Sequence, residues 1–289
     1  MFVLSASRRT DIPAFFMPWF MQSLDRGFFE VVNPYNRRVT QVPASPNQIH
    51  SIVFWSKDFG PFIRQGHDRA LTQRGYRLFF NFSINSPDPL LEPNLPSLDQ
   101  RLDQLAHLAQ RFGGECIQWR FDPICFYRSA GGPVRHNLAA FGRIARAAAD
   151  AGVPVCITSF VDLYRKVRRR IARHPGLELL DPPLDEKASR LKALEQILAP
   201  LDIALNLCCE KQLLDAMPAG MNLQSAACIP GQRLVGLFGS GISLGRDPGQ
   251  RTSAGCGCTL SRDIGSYSLH PCRHNCLYCY ANPVDRGND

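Results

Sequence analysis

Short apolar runs in this chain alternate with helix-length amphipathic segments, and each apolar run stops at a polar cluster. That alternation predicts parallel strands joined by crossover helices. The first runs are Phe2 to Leu4, leading into SASRRTDIP, and Phe28 to Val32, leading into NPYNRR. Ile52 to Trp55 then ends in Ser56 and Lys57, and Leu78 to Phe82 in Ser83 and Asn85. Cys116 to Trp119 delivers Arg120 and Asp122, Val155 to Ile157 leads to Ser159, Asp162 and Tyr164, and Ile203 to Leu207 ends at Cys208, Cys209 and Glu210.

Between the runs lie the helix-like segments PAFFMPWFMQSLDRG, SLDQRLDQLAHLAQRF, VRHNLAAFGRIARAAADAG and DEKASRLKALEQIL. In the second of these, leucines 98, 102, 105 and 108 fall at helical spacing. The fold class expected is α/β, a TIM-like (β/α) barrel, complete or partial, over residues 1–220. The polar strand ends would then converge on one mouth, where barrel enzymes keep their sites. An open doubly wound sheet is the alternative. After residue 220 the periodicity fades, and a cysteine-rich segment, residues 221–289, is expected to pack on the barrel and close over its mouth. Its stretch GLFGSGISLGRDPGQRTSAG would cross that mouth. The spacing of Gly239, Gly241 and Gly245 is not read as a dinucleotide loop, since no βαβ unit surrounds it.

No run of about 18 apolar residues exists, and the opening MFVLSASRRTDIP lacks the basic-then-apolar order of a signal peptide. A soluble cytoplasmic protein without a membrane partner is therefore expected. Eleven cysteines in such a chain argue for metal or redox use instead of disulfides. Cys116, Cys125 and Cys156 lie in or beside apolar runs and read as small buried hydrophobes. The formal charge of +8 suits an anionic partner or substrate. Its densest basic run, RKVRRRIARH, has no interleaved aromatics and reads as a solvated helix face, leaving nucleic acid open but not indicated.

Five cysteines fall within the stretch Cys256 to Asn282, and Cys272, Cys276 and Cys279 are spaced C-x3-C-x2-C with Tyr278 before the last. Three thiolates on one short loop can hold three irons of a [4Fe-4S] cubane and leave the fourth iron open. A closed zinc site of Cys256, Cys258, Cys276 and Cys279 is the competing reading. Cys209, Cys228, Cys256 and Cys258 could build a second Fe-S or zinc centre, with Cys208 as a substitute for Cys209. His270 and His274 flank the triplet and suit hydrogen bonding to the cluster sulfurs or the loop.

The triplet resembles the signature of the radical S-adenosylmethionine (SAM) superfamily. That resemblance implies that Cys272, Cys276 and Cys279 ligate the cluster, that SAM binds the open iron, and that Tyr278 sits beside the adenine. One electron, from a donor such as flavodoxin or ferredoxin, would then generate a 5′-deoxyadenosyl radical. The superfamily motif normally follows the first barrel strand, whereas here it lies close to residue 289. The wider set SRRTDIP, NPYN, IVFWSK, WRFDPI, SFVDLYRK, a Cys-Glu pair and CGC…DIG…YCYAN resembles the bacterial family called domain of unknown function 1848 over nearly the whole chain. It implies a cofactor and leaves the substrate unknown.

Arg8, Arg9, Asp11, Arg120 and Asp122 are the candidates for holding SAM and substrate, because a guanidinium forks onto a carboxylate or phosphate. Lys57, Asn81, Asp162, Tyr164 and Glu210 form a second tier. Gly113-Gly114-Glu115 spells a tripeptide that holds the SAM amino group in that superfamily, but it precedes its strand and so falls at the opposite rim. No Ser-His-Asp order or useful pair of carboxylates suggests a hydrolase. A non-catalytic zinc or Fe-S protein, and an Fe-S enzyme using SAM without radical chemistry, are the alternatives.

Overall fold

The structure, a computed structural model, describes residues 1–33, 36, 38–218, 220–281 and 283. Pro34, Tyr35 and Arg37 of NPYNRR, and Asn282 of YCYAN, lie outside the described residues. β1 (Phe2–Ala6) leads into α1 (Ile12–Phe15) and α2 (Met17–Arg26), and β2 (Ile49–Ser56) into α3 (Gly60–Arg64) and α4 (His67–Gln73). β3 (Leu78–Ser83) is followed by α5 (Leu98–Phe112), β4 (Ile117–Ile124) by α6 (Phe141–Asp150), and β5 (Val155–Phe160) by α7 (Arg165–Ile171) and α8 (Leu184–Leu198). β6 (Ala204–Leu207) precedes α9 (Lys211–Ala216), β7 (Leu223–Ser225) precedes α10 (Gly231–Phe238), and β8 (Ser261–Asp263) comes last.

These eight strands form one sheet in the order β7-β6-β5-β4-β3-β2-β1-β8, and every pairing is parallel. From β1 to β7 the strands follow one another in a single direction. β8 sits beside β1, so the sequence-late segment returns to the start of the sheet. Backbone bonds from Gly257 to Ala226 (3.0 Å) and from Thr259 to Ile229 (3.1 Å) tie the run before β8 to the run after β7. Residues beyond 220 thus supply both edge strands in addition to the cysteines.

Successive residues of a strand point to opposite faces, and here they enter two separate cores. Leu4, Phe54, Phe80, Trp119 and Phe121 pack under the helices, whereas Val3, Val53, Phe79 and Ile157 face a second cluster with Cys228, Ile229, Leu234, Cys256 and Cys258. Both faces of the sheet are covered, as parallel sheets require. Each fully buried Phe contributes about 1.5–3 kcal/mol by leaving water.

Local chemistry sets the helix limits. Ser97 and Gln100 form a reciprocal capping box at the start of α5, whose Leu98, Leu105 and Leu108 are buried. The expected helix from Pro13 to Gly27 breaks in two at Phe16, because Pro18 carries no N–H to continue the ladder.

Three expectations are corrected. Phe28–Val32 is not a strand of the main sheet but pairs antiparallel with Val39–Pro43, since the stretch between them is too short for a crossover helix. The aperiodic region after residue 220 contains α10, which buries Leu234 against the inner face. The adjoining GLFG lies at the strands' amino ends, not across the mouth: His50 at the start of β2 donates to the Gly239 carbonyl (2.8 Å), and Arg77, just before β3, to that of Phe238.

Candidate metal and cofactor site

The polar residues that end the strands gather at the sheet's carboxyl edge. Asp11, in the loop after β1, has the most demanding local role. Its carboxylate caps α1 through Ala14 N–H (3.0 Å) and accepts from Ser56 Oγ, from Lys57 N–H (2.8 Å) and from His274 Nε2 (2.8 Å). Asp11 therefore binds the terminal loop to β1 and β2, and its oxygens face protein donors.

The triplet loop is held from three sides. Leu277 N–H donates to the Leu91 carbonyl (2.9 Å). Arg170 of α7 turns away from solvent and donates through Nη1 to the carbonyls of Cys276 (3.2 Å), Leu277 (2.8 Å) and Cys279 (2.8 Å). On the third side Lys57 bridges to Glu92 (2.7 Å) and to the Tyr278 hydroxyl (2.9 Å), and Asn85 donates to both acceptors at 3.0 Å. Tyr278 in turn donates to Glu92. Its hydroxyl is thus fully engaged, and its ring is buried in an apolar cluster with Cys276, Leu277 and Cys125.

The three triplet thiols are close enough to feel one another, and all lie beside cations. Burial pushes Cys272 up to about 12 and Cys276 and Cys279 above their usual range, while Lys57 acts on each in the opposite direction. Burial opposes the charge of Glu92, but Lys57, the Tyr278 hydroxyl and Arg101 together hold the carboxylate below its ordinary value.

A second set of sulfurs lies on the inner face. Cys208 and Cys209 are 3.9 Å apart, and further thiol contacts run from Cys209 to Cys256, Cys256 to Cys258, Cys258 to Cys228, and Cys228 back to Cys208. The five form a closed ring. Cys208 Sγ donates to Cys209 Sγ, and Cys258 Sγ accepts from Ile229 N–H at 3.4 Å. These contacts, with Arg8 nearby, draw the Cys258 thiol far below its usual range. The four cysteines expected to associate do so, and Cys208 joins as a fifth member. Cys256 and Cys258 contact this ring; the triplet is a separate group. Among the described residues, no three or more His, Cys, Asp or Glu side chains form a ready-made ligand set for a metal ion.

The arginines expected at the mouth stand around the ring. Arg120 donates to Cys228 Sγ and pairs with Asp122, which also accepts from Ser159. Arg8 lies near Cys258 and donates to Ser261 Oγ (3.2 Å). Both guanidiniums sit over the Trp55 ring, at 5.5 Å for Arg8 and 5.1 Å for Arg120. Arg9 has a tethering role: it pairs with Asp263 (3.3 Å) and donates to the Gly265 carbonyl (3.1 Å).

The second-tier residues divide. Lys57 joins the triplet loop and Glu210 accepts from Phe160 N–H (2.9 Å), whereas Asp162 pairs with Arg251 and accepts from Tyr164. Asn81 lies deeper, donating to the Cys228 carbonyl (2.9 Å). His270 packs against Trp19 and Phe16. Cys116, Cys125 and Cys156 are buried, and all eleven cysteines are free thiols. Glu92, Trp55 and Arg170 are not among the candidates the sequence offers, and Asn85 stands there only as a polar residue ending an apolar run.

The family model described as "Domain of unknown function (DUF1848)" matches residues 3–281. The chain belongs to the DUF1848 family. No curated protein matches it. Similar solved structures include two D-hydantoinases, one from Bacillus sp. AR9, at 11% and 13% identity, with TM-scores of 0.34 and 0.33. They align with 73% and 72% of the DUF1848 chain, and the chain spans about half their length, 49% and 47%. Among the described residues of the DUF1848 chain, no helix is long and apolar enough to cross a membrane.

Proposed function

We propose that the protein is a radical SAM-type enzyme on a (β/α) barrel in the cytoplasm, with a [4Fe-4S] cluster on Cys272, Cys276 and Cys279. The unidirectional parallel order, with β8 returning to β1, supports the barrel. The observation that carries the functional reading is the triplet itself: three thiols on one loop, Cys276 buried and Cys272 and Cys279 half-buried, beside Lys57 and Arg170, at the carboxyl ends of the strands. That donor set fits a cubane with one open iron.

When bound, such a cluster with SAM on its open iron supplies one-electron cleavage of a SAM carbon–sulfur bond. The chain's own work is placement and exclusion of water. Arg170 gathers the loop carbonyls, which leaves the thiols free to turn toward a ligand. Lys57 offers positive charge to the thiolates, and Glu92 offsets that charge within the same network. Arg8, Arg120 and Asp122 supply charge to a polar or anionic substrate between the two sulfur groups, where Trp55 and the half-exposed Tyr280 offer flat surfaces.

The test is anaerobic purification and reconstitution, followed by incubation with dithionite and SAM. A brown protein carrying iron and sulfide that forms 5′-deoxyadenosine, and loses this with Cys276→Ala, supports the reading. A colourless protein with stoichiometric zinc points to a non-catalytic metal protein. SAM turnover without 5′-deoxyadenosine points to non-radical chemistry.

A further inference from the structure

We propose that the exposed basic face of α7 and the turn after it, carrying Arg165, Arg168, Arg169 and Arg173, is the docking surface for an acidic one-electron carrier protein. This rests on the cluster reading of the triplet and assigns the place where its electron donor binds.

α7 is strapped to the terminal loop along its length. Val167 and Ile171 are buried in the apolar cluster that holds Cys276, Leu277 and Tyr278. Lys166 at one end sits 5.4 Å from the centre of the Tyr267 ring. Near the other end Arg170 donates to the loop carbonyls, reaching that of Ala281 as well (3.4 Å). The opposite side is open, with Arg165, Arg168, Arg169 and Arg173 exposed. A partner seated on these arginines therefore stands within one helix diameter, ~10–12 Å, of the triplet loop.

The charge serves no acid inside the chain. Of the flanking carboxylates, Asp162 pairs with Arg251 and Glu178 with Arg128. Among the described residues none pairs with the four arginines, and Arg168 spends its Nε on the Leu163 carbonyl (2.9 Å). The arrangement also works against the helix. Arg165 and Arg169 are four positions apart, where like charges repel, and the first turn, at the positive end of the helix dipole, holds no acid. A cluster that costs its own helix stability and pairs with nothing nearby fits recognition of an external anion.

The neighbouring surface decides which anion. Leu269, two residues past Tyr267, is 67% exposed, the highest value among the described large apolar side chains. An apolar spot beside a charged rim is the make-up of a protein interface, whereas a nucleic acid along α7 would find no aromatic on the helix to stack against. At each transfer the carrier loses one electron and the cluster on the triplet gains it, so a spent carrier must leave and a reduced one arrive. Electron-transfer encounters are accordingly small and weak, a size that a two-turn helix can serve. Charge speeds their association without tightening it much.

The experiment uses the reconstituted full-length chain, an acidic flavodoxin as carrier, and a variant with Arg165→Glu, Arg169→Glu and Arg173→Glu, which keeps Arg170. Flavodoxin affinity by calorimetry should fall about tenfold in the variant. Formation of 5′-deoxyadenosine with reduced flavodoxin should fall with it, while formation with dithionite, which needs no docking surface, stays unchanged. A variant that binds flavodoxin and takes its electrons like the unaltered chain overturns the docking surface alone. An unaltered chain that makes no 5′-deoxyadenosine even with dithionite overturns the triplet reading and this proposal with it. Tighter binding of a single-stranded oligoribonucleotide than of flavodoxin, lost in the same variant, overturns it in favour of nucleic acid. Should the triple variant not fold, Arg169→Gln with Arg173→Gln is read in its place: a fall of about threefold is expected, and unchanged flavodoxin affinity overturns the proposal.

Discussion

The Arg170 guanidinium lies 2.8 Å from the carbonyl oxygen of Cys279, 109 positions further along the chain. Together with the bonds to Cys276 and Leu277, this makes one cation the organiser of the loop that carries the triplet. Hydrogen bonds from a charged donor are worth about 1.5–3 kcal/mol each when well formed, and partial exposure of Arg170 favours the lower end. Arg170→Ala should therefore destabilise the protein by about 2 kcal/mol and release triplet iron. Arg170→Lys should restore only part, because its one ammonium can stand in for Nη1 but not also for Nη2, which donates to the Ala281 carbonyl (3.4 Å). Thermal melting and iron content of the reconstituted variants check both statements.

Gly114 explains why a Gly-Gly-Glu tripeptide stands before β4. A Cβ there would sit 2.3 Å from the Ala151 and Gly152 carbonyl oxygens, in the turn between α6 and β5. Neither is a flexible side chain, so the backbone must move. Gly114→Ala is expected to cost about 1–3 kcal/mol while leaving SAM binding unchanged, because the tripeptide lies at the amino ends. Chemical denaturation with equilibrium SAM binding on the same sample separates the two effects.

What the sequence revealed was what local patterning encodes. The apolar runs and amphipathic spacers predicted parallel strands, and the polar residues ending those runs do gather at one edge. Cys209, Cys228, Cys256 and Cys258 do associate. What it concealed depends on contacts between distant segments. Arg170 sits in a basic run and shares its helix with arginines that face water, so nothing local singles it out. β7 and β8 are three-residue strands of mixed polarity, Leu-Gln-Ser and Ser-Arg-Asp, too short to show a period. α10 is hidden for a related reason: glycines within and after it mask a helix of eight residues, Gly231–Phe238.

The Lys57–Glu92 pair sets a pH window. Burial opposes both charges, yet the pairing, joined by Cys276 at Lys57 and by Tyr278 and Arg101 at Glu92, prevails, raising Lys57 and lowering Glu92. For Glu92, a depressed folded pKa means that its contribution is present above the unfolded value, about 4.3, and fades as pH falls through the folded one. For Lys57, a raised folded pKa means a contribution complete below about 10.4 and lost as pH climbs through the folded value. Stability from this pair should thus be flat from about pH 5 to 10 and fall on either side. Glu92→Gln removes one partner of a buried pair and should cost about 3–5 kcal/mol at neutral pH, with a smaller loss on acidification. Melting temperatures between pH 3.5 and 7 test this.

Asp11 distinguishes a carboxylate from an amide of the same shape. One oxygen caps α1 through Ala14 N–H, while the other accepts from Lys57 N–H and His274 Nε2. Asn caps helices as well as Asp does, so a role in capping alone would make Asp11→Asn neutral. Here either orientation of the amide sets its NH2 group against a backbone N–H, at Ala14 or at Lys57. A buried donor left unpaired costs about 1–3 kcal/mol, and that loss is expected for Asp11→Asn. His274 lies between Cys272 and Cys276, so the same change should loosen the triplet loop. Faster release of iron to a chelator, with α1 intact by amide hydrogen exchange, is the expected signature. An Asp11→Asn protein as stable and as iron-retentive as the unaltered chain would remove Asp11 as the anchor of that loop.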